Sequence, residues 1–184
     1  GTDVADYSSS TLGVTVNLGT NVGTGGDAAG DTYSSIENLV GSGQNDLLTG
    51  DANANSLDGG AGNDTLVGQR GVDDLRPGTG TDTSIGNNGY DTVSYIDRDE
   101  DVALSNDGVA NDGAAGENGN VRTDVENLRG GDGDDVLRGN GSGNVLTGGS
   151  GNDQLLGNGG NDVLVADGDT GPGASSGDDR LDGG

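Results

Sequence analysis

Six residue types are missing from this 184-residue sequence: cysteine, histidine, methionine, tryptophan, phenylalanine and lysine. Without cysteine and histidine the chain cannot form disulfides, Cys/His zinc or haem sites, or a Ser-His-Asp triad, because each needs an atom from those side chains. Apolar residues make up 28% of the chain and aromatic residues 2%, which is too little to fill a conventional core. The sequence therefore excludes many classes of enzyme and any fold with a wide apolar interior.

Acidic residues and glycine are present in large excess. The chain has 32 Asp and Glu, seven Arg and 41 Gly, and its formal net charge is −25. Because this charge repels phosphates, we expect no nucleic-acid partner and no attraction to anionic lipid. No apolar run approaches the ~20 residues that span a bilayer, so we expect no membrane span, and the N-terminus shows no signal-peptide pattern. Such a composition predicts disorder unless the acids are placed at fixed spacing to bind cations.

The acids are placed at a fixed spacing of nine residues. In the clearest repeat, Gly59 to Val67, glycine stands at places one, two and four, aspartate at place six and an aliphatic residue at place eight. Six repeats run without a break from residue 41 to 94, and four more run from 130 to 165. We call these two segments the first and the second nonapeptide block.

A longer period divides the chain into two modules, because Glu37-Asn38-Leu39 recurs as Glu126-Asn127-Leu128. The first module, 1–94, has a partial repeat at 1–6, connecting strands at 7–40 and the first block at 41–94. The second module, 95–184, has connecting strands at 95–129, the second block at 130–165, an inserted loop at 166–173 and a final repeat from 174 that leads into the start of another. Because both ends fall inside the repeat, we expect continuation into, or end-to-end association with, further copies.

The repeat predicts an all-β fold. Places seven to nine form a short strand whose place-eight side chain points inward, and the Gly-, Asn- and Asp-rich places one to six form a turn. Two repeats close one coil of about 18 residues, so each residue stacks on its counterpart two repeats later in a parallel β-solenoid. Leu48, Leu66 and Ser84 then line one wall, and Leu57, Leu75 and Val93 line the other. One buried aliphatic residue contributes about 1.5–3 kcal/mol, which cannot offset the ordering of nine residues at about 1–2 kcal/mol each.

Stacked carboxylates would repel one another unless a cation lies between successive turns. Hard oxygen ligands in flexible, carbonyl-rich turns favour Ca²⁺ over Mg²⁺, which demands tighter geometry. The candidate side-chain ligands stand at place six: Asp3, Asp46, Asn55, Asp64, Asp73, Asp82, Asp91, Asp135, Asn144, Asp153, Asp162 and Asp179. The candidate turn glycines are Gly59, Gly60, Gly62, Gly68, Gly71, Gly78, Gly80, Gly130, Gly131, Gly133, Gly148, Gly149, Gly151 and Gly157. We expect about eight ions, with weaker or vacant sites at the two asparagines, which lack the charge.

The unit Gly-Gly-x-Gly-x-Asp-x-Leu-x resembles the RTX, or haemolysin-type, calcium-binding repeat. The match is nearly perfect at Gly59 to Val67, Gly130 to Arg138 and Gly148 to Leu156. The resemblance implies a right-handed parallel β-roll with Ca²⁺ between its turns, disordered without calcium, in extracellular bacterial proteins exported by type I secretion. Gln69, Asn87 and Asn158 replace the second glycine and put the usual turn conformation in doubt.

Three functions remain open. The first is a non-enzymatic, calcium-stiffened spacer, stalk or fibre segment of an exported protein. The second is a carbohydrate-binding or targeting module of a secreted enzyme, whose partner is a surface glycan, and the third is an adhesin segment that contributes only length. Catalysis by acidic pairs such as Asp73-Asp74 is disfavoured, because neighbouring residues in a strand point to opposite faces and cannot face each other across a sugar. We therefore expect no enzyme activity.

Overall fold

The computed structural model describes residues 1–167 and 177–184. Within them the chain forms two compact units, Gly1–Thr92 and Val93–Gly184, and one 3₁₀ turn, Gly26–Ala28, is the sole helical element. The strands are β1 (Val4–Asp6), β2 (Thr15–Asn17), β3 (Val22–Thr24), β4 (Asn38–Val40), β5 (Leu47–Thr49), β6 (Ser56–Asp58), β7 (Thr65–Gly71), β8 (Asp74–Arg76), β9 (Thr83–Gly89), β10 (Thr92–Ser94), β11 (Val102–Ser105), β12 (Gly113–Ala114), β13 (Asn120–Val121), β14 (Asn127–Arg129), β15 (Val136–Arg138), β16 (Val145–Thr147), β17 (Gln154–Leu156), β18 (Val163–Val165) and β19 (Arg180–Asp182).

The strands of both nonapeptide blocks begin at place seven of a repeat, as predicted, but β7 and β9 continue through place four of the next repeat, where a turn was predicted. The first unit contains two sheets. In one sheet β1, β4, β6 and β8 pair in parallel, and in the other β2, β5, β7 and β9 pair in parallel while β3 is antiparallel to β2. Leu48 pairs with Leu66, and Leu66 with Ser84, so strands two repeats apart are neighbours in the sheet. The predicted parallel β-roll, with one coil for every two repeats, is therefore observed.

The second unit repeats this arrangement. Strands β14, β16 and β18 pair in parallel, as do β11, β15, β17 and β19, with β12 antiparallel to β11. In the last pair, β17 with β19, Leu155 pairs with Leu181. Leu181 lies eight positions further along the chain than the partner that a regular 18-residue coil would supply. The predicted inserted loop, 166–173, lies outside the described residues from residue 168 on.

Each core is a narrow stack of aliphatic side chains between two sheets. Leu48, Leu57, Leu66 and Leu75 are fully buried in the first unit, as are Leu137, Leu146 and Leu155 in the second. The connecting segments extend these stacks, because Val16 of β2 pairs with Leu48 and Leu39 of β4 pairs with Leu57. In the described part of the chain, no helix has the length and apolar character needed to cross a membrane.

Candidate metal centre

The place-six side chains stack in columns at the corners of the coils. The Asp64 carboxylate accepts a hydrogen bond through Oδ1 from the backbone N–H of Asp46, one coil earlier, at 2.8 Å. The same bond recurs from Asn55 to Asp73, Asp64 to Asp82, Asp73 to Asp91, Asp135 to Asp153, Asn144 to Asp162 and Asp153 to Asp179, at 2.8–3.0 Å. One carboxylate oxygen of each stacked aspartate therefore holds neighbouring coils together.

At the start of two columns, the N–H donor belongs to a connecting segment and not to a place-six residue of a nonapeptide block. The N–H of Val14 donates to Asp46 Oδ1 at 2.7 Å, and that of Val102 donates to Asp135 Oδ1 at 2.8 Å. In another column the exposed Asp3 donates its N–H to Glu37 Oε2 at 2.9 Å. Sequence reasoning missed Glu37 as a column member, although its position directly before the Asn-Leu of a strand is equivalent to place six.

The second carboxylate oxygen distinguishes two kinds of turn. In the open turns, as we name them, Oδ2 of the place-six aspartate is buried and accepts no hydrogen bond, as at Asp64, Asp73, Asp153 and Asp162. The side chains of Asp64 and Asp73 are 1% exposed, and that of Asp153 is 2% exposed. An ionised oxygen buried in this way without a partner is costly, so these oxygens are suited to a cation.

In the closed turns, the place-two N–H fills this position. Ser42 donates its N–H to Asp46 Oδ2 at 2.5 Å and its hydroxyl to Asp46 Oδ1 at 2.9 Å. The N–H of Gly131 donates to Asp135 Oδ2 at 2.8 Å. In the two asparagine turns, the place-two N–H donates to the amide oxygen of the asparagine. The N–H of Asp51 donates to Asn55 Oδ1 at 2.8 Å, and that of Asn140 donates to Asn144 Oδ1 at 2.9 Å. The closed turns are the first two of each nonapeptide block.

The backbone at place two explains the difference. In the open turns this residue is left-handed, with φ of 89° at Gly60, 83° at Gln69, 130° at Gly149 and 67° at Asn158. Gly78 and Asn87, at place two in the turns of Asp82 and Asp91, have the same conformation, with φ of 85° and 68°. In the closed turns Ser42, Asp51, Gly131 and Asn140 are outside the left-handed region. Gln69, Asn87 and Asn158 thus keep the glycine-type turn, even though non-glycine residues seldom adopt it.

In both kinds of turn, a place-one glycine leaves room beside a place-six side-chain oxygen and a carbonyl oxygen of the next coil. A Cβ built on Gly59 would lie 2.6 Å from Asp64 Oδ2 and 2.6 Å from the carbonyl oxygen of Pro77 in the next coil. A Cβ on Gly148 would overlap Asp153 Oδ2 and lie 2.8 Å from the Ala166 carbonyl oxygen. Carboxylate and carbonyl oxygens thus meet around a space that any larger residue would fill, and hard oxygens are the ligands that Ca²⁺ prefers. The residues present fit a calcium ion.

Backbone carbonyls are essential to such a site. Over residues 1–167 and 177–184, no group of three or more Asp or Glu side chains converges in a way that could hold a metal ion. One or two carboxylates would therefore have to be completed by turn carbonyls, as the sequence predicts. Asp179 ends its column in the described residues, but places one to three of its repeat lie outside them.

Burial makes the carboxylates of Asp64, Asp73 and Asp153 hard to ionise in the absence of a cation. It raises the pKa of Asp64 to about 8, although the N–H of Asp46 acts in the opposite direction and the neighbouring carboxylates add to the rise. Burial also raises the pKa of Asp73 and of Asp153 to about 6. A bound divalent cation would favour the ionised form and reverse these shifts.

We expect acid to substitute in part for calcium. A folded-state pKa of about 6 to 8, against 3.8 for an ordinary Asp, means that protonation favours the calcium-free fold. This stabilisation is complete below pH ~4 and is lost as the pH rises through 6 to 8. Circular dichroism in excess chelator should therefore show more β-structure at pH 5 than at pH 8. Equal spectra at the two pH values would contradict this expectation.

Comparison with known proteins identifies the repeat. The family model described as RTX calcium-binding nonapeptide repeat (4 copies) matches residues 40–75, 123–155 and 138–170. These ranges contain both closed and open turns of each block. A search of curated proteins found no match.

Proposed function

Because the chain belongs to the RTX calcium-binding nonapeptide-repeat family, we propose that it is a structural module that folds on calcium after export. In this proposal it serves as a spacer, stalk or fibre segment of an extracellular protein. RTX repeats bind Ca²⁺ and form a structural rather than a catalytic module. They are typical of secreted bacterial proteins. The observation that carries the proposal is the series of buried Oδ2 atoms that accept no hydrogen bond in the open turns.

Calcium, when bound, supplies positive charge that offsets the repulsion between the stacked carboxylates of neighbouring coils. Asp64, Asp73, Asp153 and Asp162 would hold it through Oδ2, together with carbonyls of the surrounding turns. The Oδ1 atoms of the same residues continue to accept hydrogen bonds from the N–H groups of the previous coil. Each ligand thus links calcium to coil stacking, so the free energy of binding becomes free energy of folding.

This coupling suits a protein that is exported before it folds. At the low calcium concentration of the cytoplasm, the net charge of −25 would keep the chain extended. At the higher calcium concentration outside the cell, the same chain would fold. Isothermal titration calorimetry with CaCl₂ tests the first step, and the absence of binding to the full chain would refute the proposal.

One observation favours the second candidate function, carbohydrate binding. An open polar groove of about 460 Å³ in the first unit is lined by Asn17, Thr20, Asp51, Gln69 and Arg70 among others. Amide, hydroxyl and charged groups around a shallow groove are suited to sugar hydroxyls.

A glycan array with the calcium-loaded chain separates the two candidates. A spacer should bind no sugar with specificity, whereas binding that Arg70→Ala abolishes would assign the groove to a glycan. Arg76→Ala is the matched control, because Arg76 pairs with Asp74 at 3.0 Å and does not line the groove. Sedimentation velocity of the same preparation tests the expected association with further copies.

A further inference from the structure

We infer that the first coil of each nonapeptide block, residues 41–58 and 130–147, binds no calcium through its place-six side chains, and that ion binding begins with the second coil. The inference rests on the proposed calcium-binding function and specifies where its sites are. Among residues 1–167 and 177–184, it assigns ions to the place-six aspartates whose place-two neighbour is left-handed: Asp64, Asp73, Asp82, Asp91, Asp153 and Asp162. It assigns none to Asp179, because place two of that repeat lies outside the described residues.

Hydrogen bonds already occupy the oxygens that an ion would need in the first coil. Asp46 accepts three bonds from Ser42 and Val14, through both of its carboxylate oxygens. Asp135 accepts bonds from Gly131 and Val102. An ion at either residue would have to displace the place-two N–H and turn that residue into the left-handed region, which for Ser42 is costly.

The asparagines of the first coil make a contact that an aspartate could not make. Asn55 donates Nδ2 to the Glu37 carbonyl at 2.8 Å, and Asn144 donates Nδ2 to the Glu126 carbonyl at 2.7 Å. A carboxylate has no hydrogen to donate there. These residues therefore bind the first coil to the connecting segment beneath it. Their amide oxygens accept hydrogen bonds from the N–H groups of Asp51 and Asn140.

The second block shows that position, and not motif, decides whether a turn is closed. Gly130 to Arg138 has glycine at places one, two and four and aspartate at place six, yet its turn is closed. Beneath it lies the 95–98 segment: the N–H of Asp132 donates to the Arg98 carbonyl at 2.8 Å, and a Cβ on Gly131 would lie 2.7 Å from the Tyr95 carbonyl. The first coil rests on a connecting segment and has no calcium-binding turn below it.

Matched substitutions test the inference in the full chain. Asp64→Asn and Asp153→Asn alter open turns, whereas Asp46→Asn and Asp135→Asn alter the equivalent places of closed turns. Bound calcium per chain is counted by mass spectrometry after gel filtration and by the stoichiometry of calorimetric titration. We expect each open-turn variant to bind one ion fewer than the wild-type chain, and each closed-turn variant to bind the wild-type number.

A second pair of variants covers the case in which the closed-turn substitutions unfold the chain. Asn55→Asp and Asn144→Asp restore the consensus aspartate, and we expect neither to gain an ion. A gain of one ion in either variant, or an equal loss in Asp46→Asn and Asp64→Asn, would overturn the inference. A wild-type chain that binds no calcium would instead refute the proposed function.

Discussion

Removal of calcium is expected to unfold the whole chain. Excess chelator at pH 7.5 should eliminate the β-structure seen by circular dichroism and raise the radius of gyration to about 45 Å, the value for an unfolded chain of this length. The reason is that each coil buries at most two place-eight side chains, whereas its carboxylates stack at the spacing of paired strands. Hydrophobic burial alone cannot hold this stack against a net charge of −25.

Magnesium provides the control for this experiment. Mg²⁺ has the same charge but demands near-ideal octahedral geometry and retains its waters, so it should restore little β-structure at the same concentration. Full recovery with Mg²⁺ would mean that screening of charge, and not coordination, folds the chain. Identical spectra in chelator and in calcium would contradict the predicted dependence altogether.

Gly80→Ala is expected to be among the most damaging single methyl additions. Gly80 stands at place four with φ of 137°, and a Cβ there would overlap the Gly62 carbonyl oxygen of the coil below. The coils cannot separate to admit it without breaking the pairing of β7 with β9. We expect a loss of about 3 kcal/mol or more of unfolding free energy in calcium, from the clash and the backbone strain together.

Gly43→Ala is the matched control for Gly80→Ala. Gly43 also lies in a turn of the first block, but its φ is not left-handed and no atom lies within 4 Å of the added Cβ. This variant should be unchanged or up to about 1 kcal/mol more stable, because alanine restricts the unfolded chain. Calcium-dependent urea melts of the two variants give the comparison, and similar midpoints would show that the turns do not need glycine at place four.

The repeat sequence allowed much of the fold to be predicted. The buried leucines could be predicted because the aliphatic residue stands at place eight, and alternation of side chains then turns places seven and nine outward. Leu181, at place eight of the final repeat, is an exception and is exposed. The columns of acidic side chains could be predicted from place six, because coils of equal length place Asp46 under Asp64. The contributions of Val16 and Leu39 to the same stacks were not predicted individually, because the connecting segments have no repeat from which to read their register.

The division into open and closed turns could not be read from the sequence. Gly131 and Gly149 occupy the same place of nearly identical repeats, yet only Gly149 is left-handed, with φ of 130°. Conversely, Gln69 keeps the left-handed turn without being a glycine. We infer that the segment beneath a coil decides whether the place-two N–H points toward the carboxylate. That segment is set by the stacked fold and cannot be read from a nine-residue window.

The long connection between β17 and β19 bears on how such chains change length over evolution. Leu155 and Leu181 pair in register although the intervening chain exceeds one coil by eight residues. Lateral pairing between strands therefore sets the register, and the number of residues between two paired strands does not. Since the entropy of closing a loop grows only slowly with its length, the segments between strands can gain residues over evolution while the paired strands remain aligned.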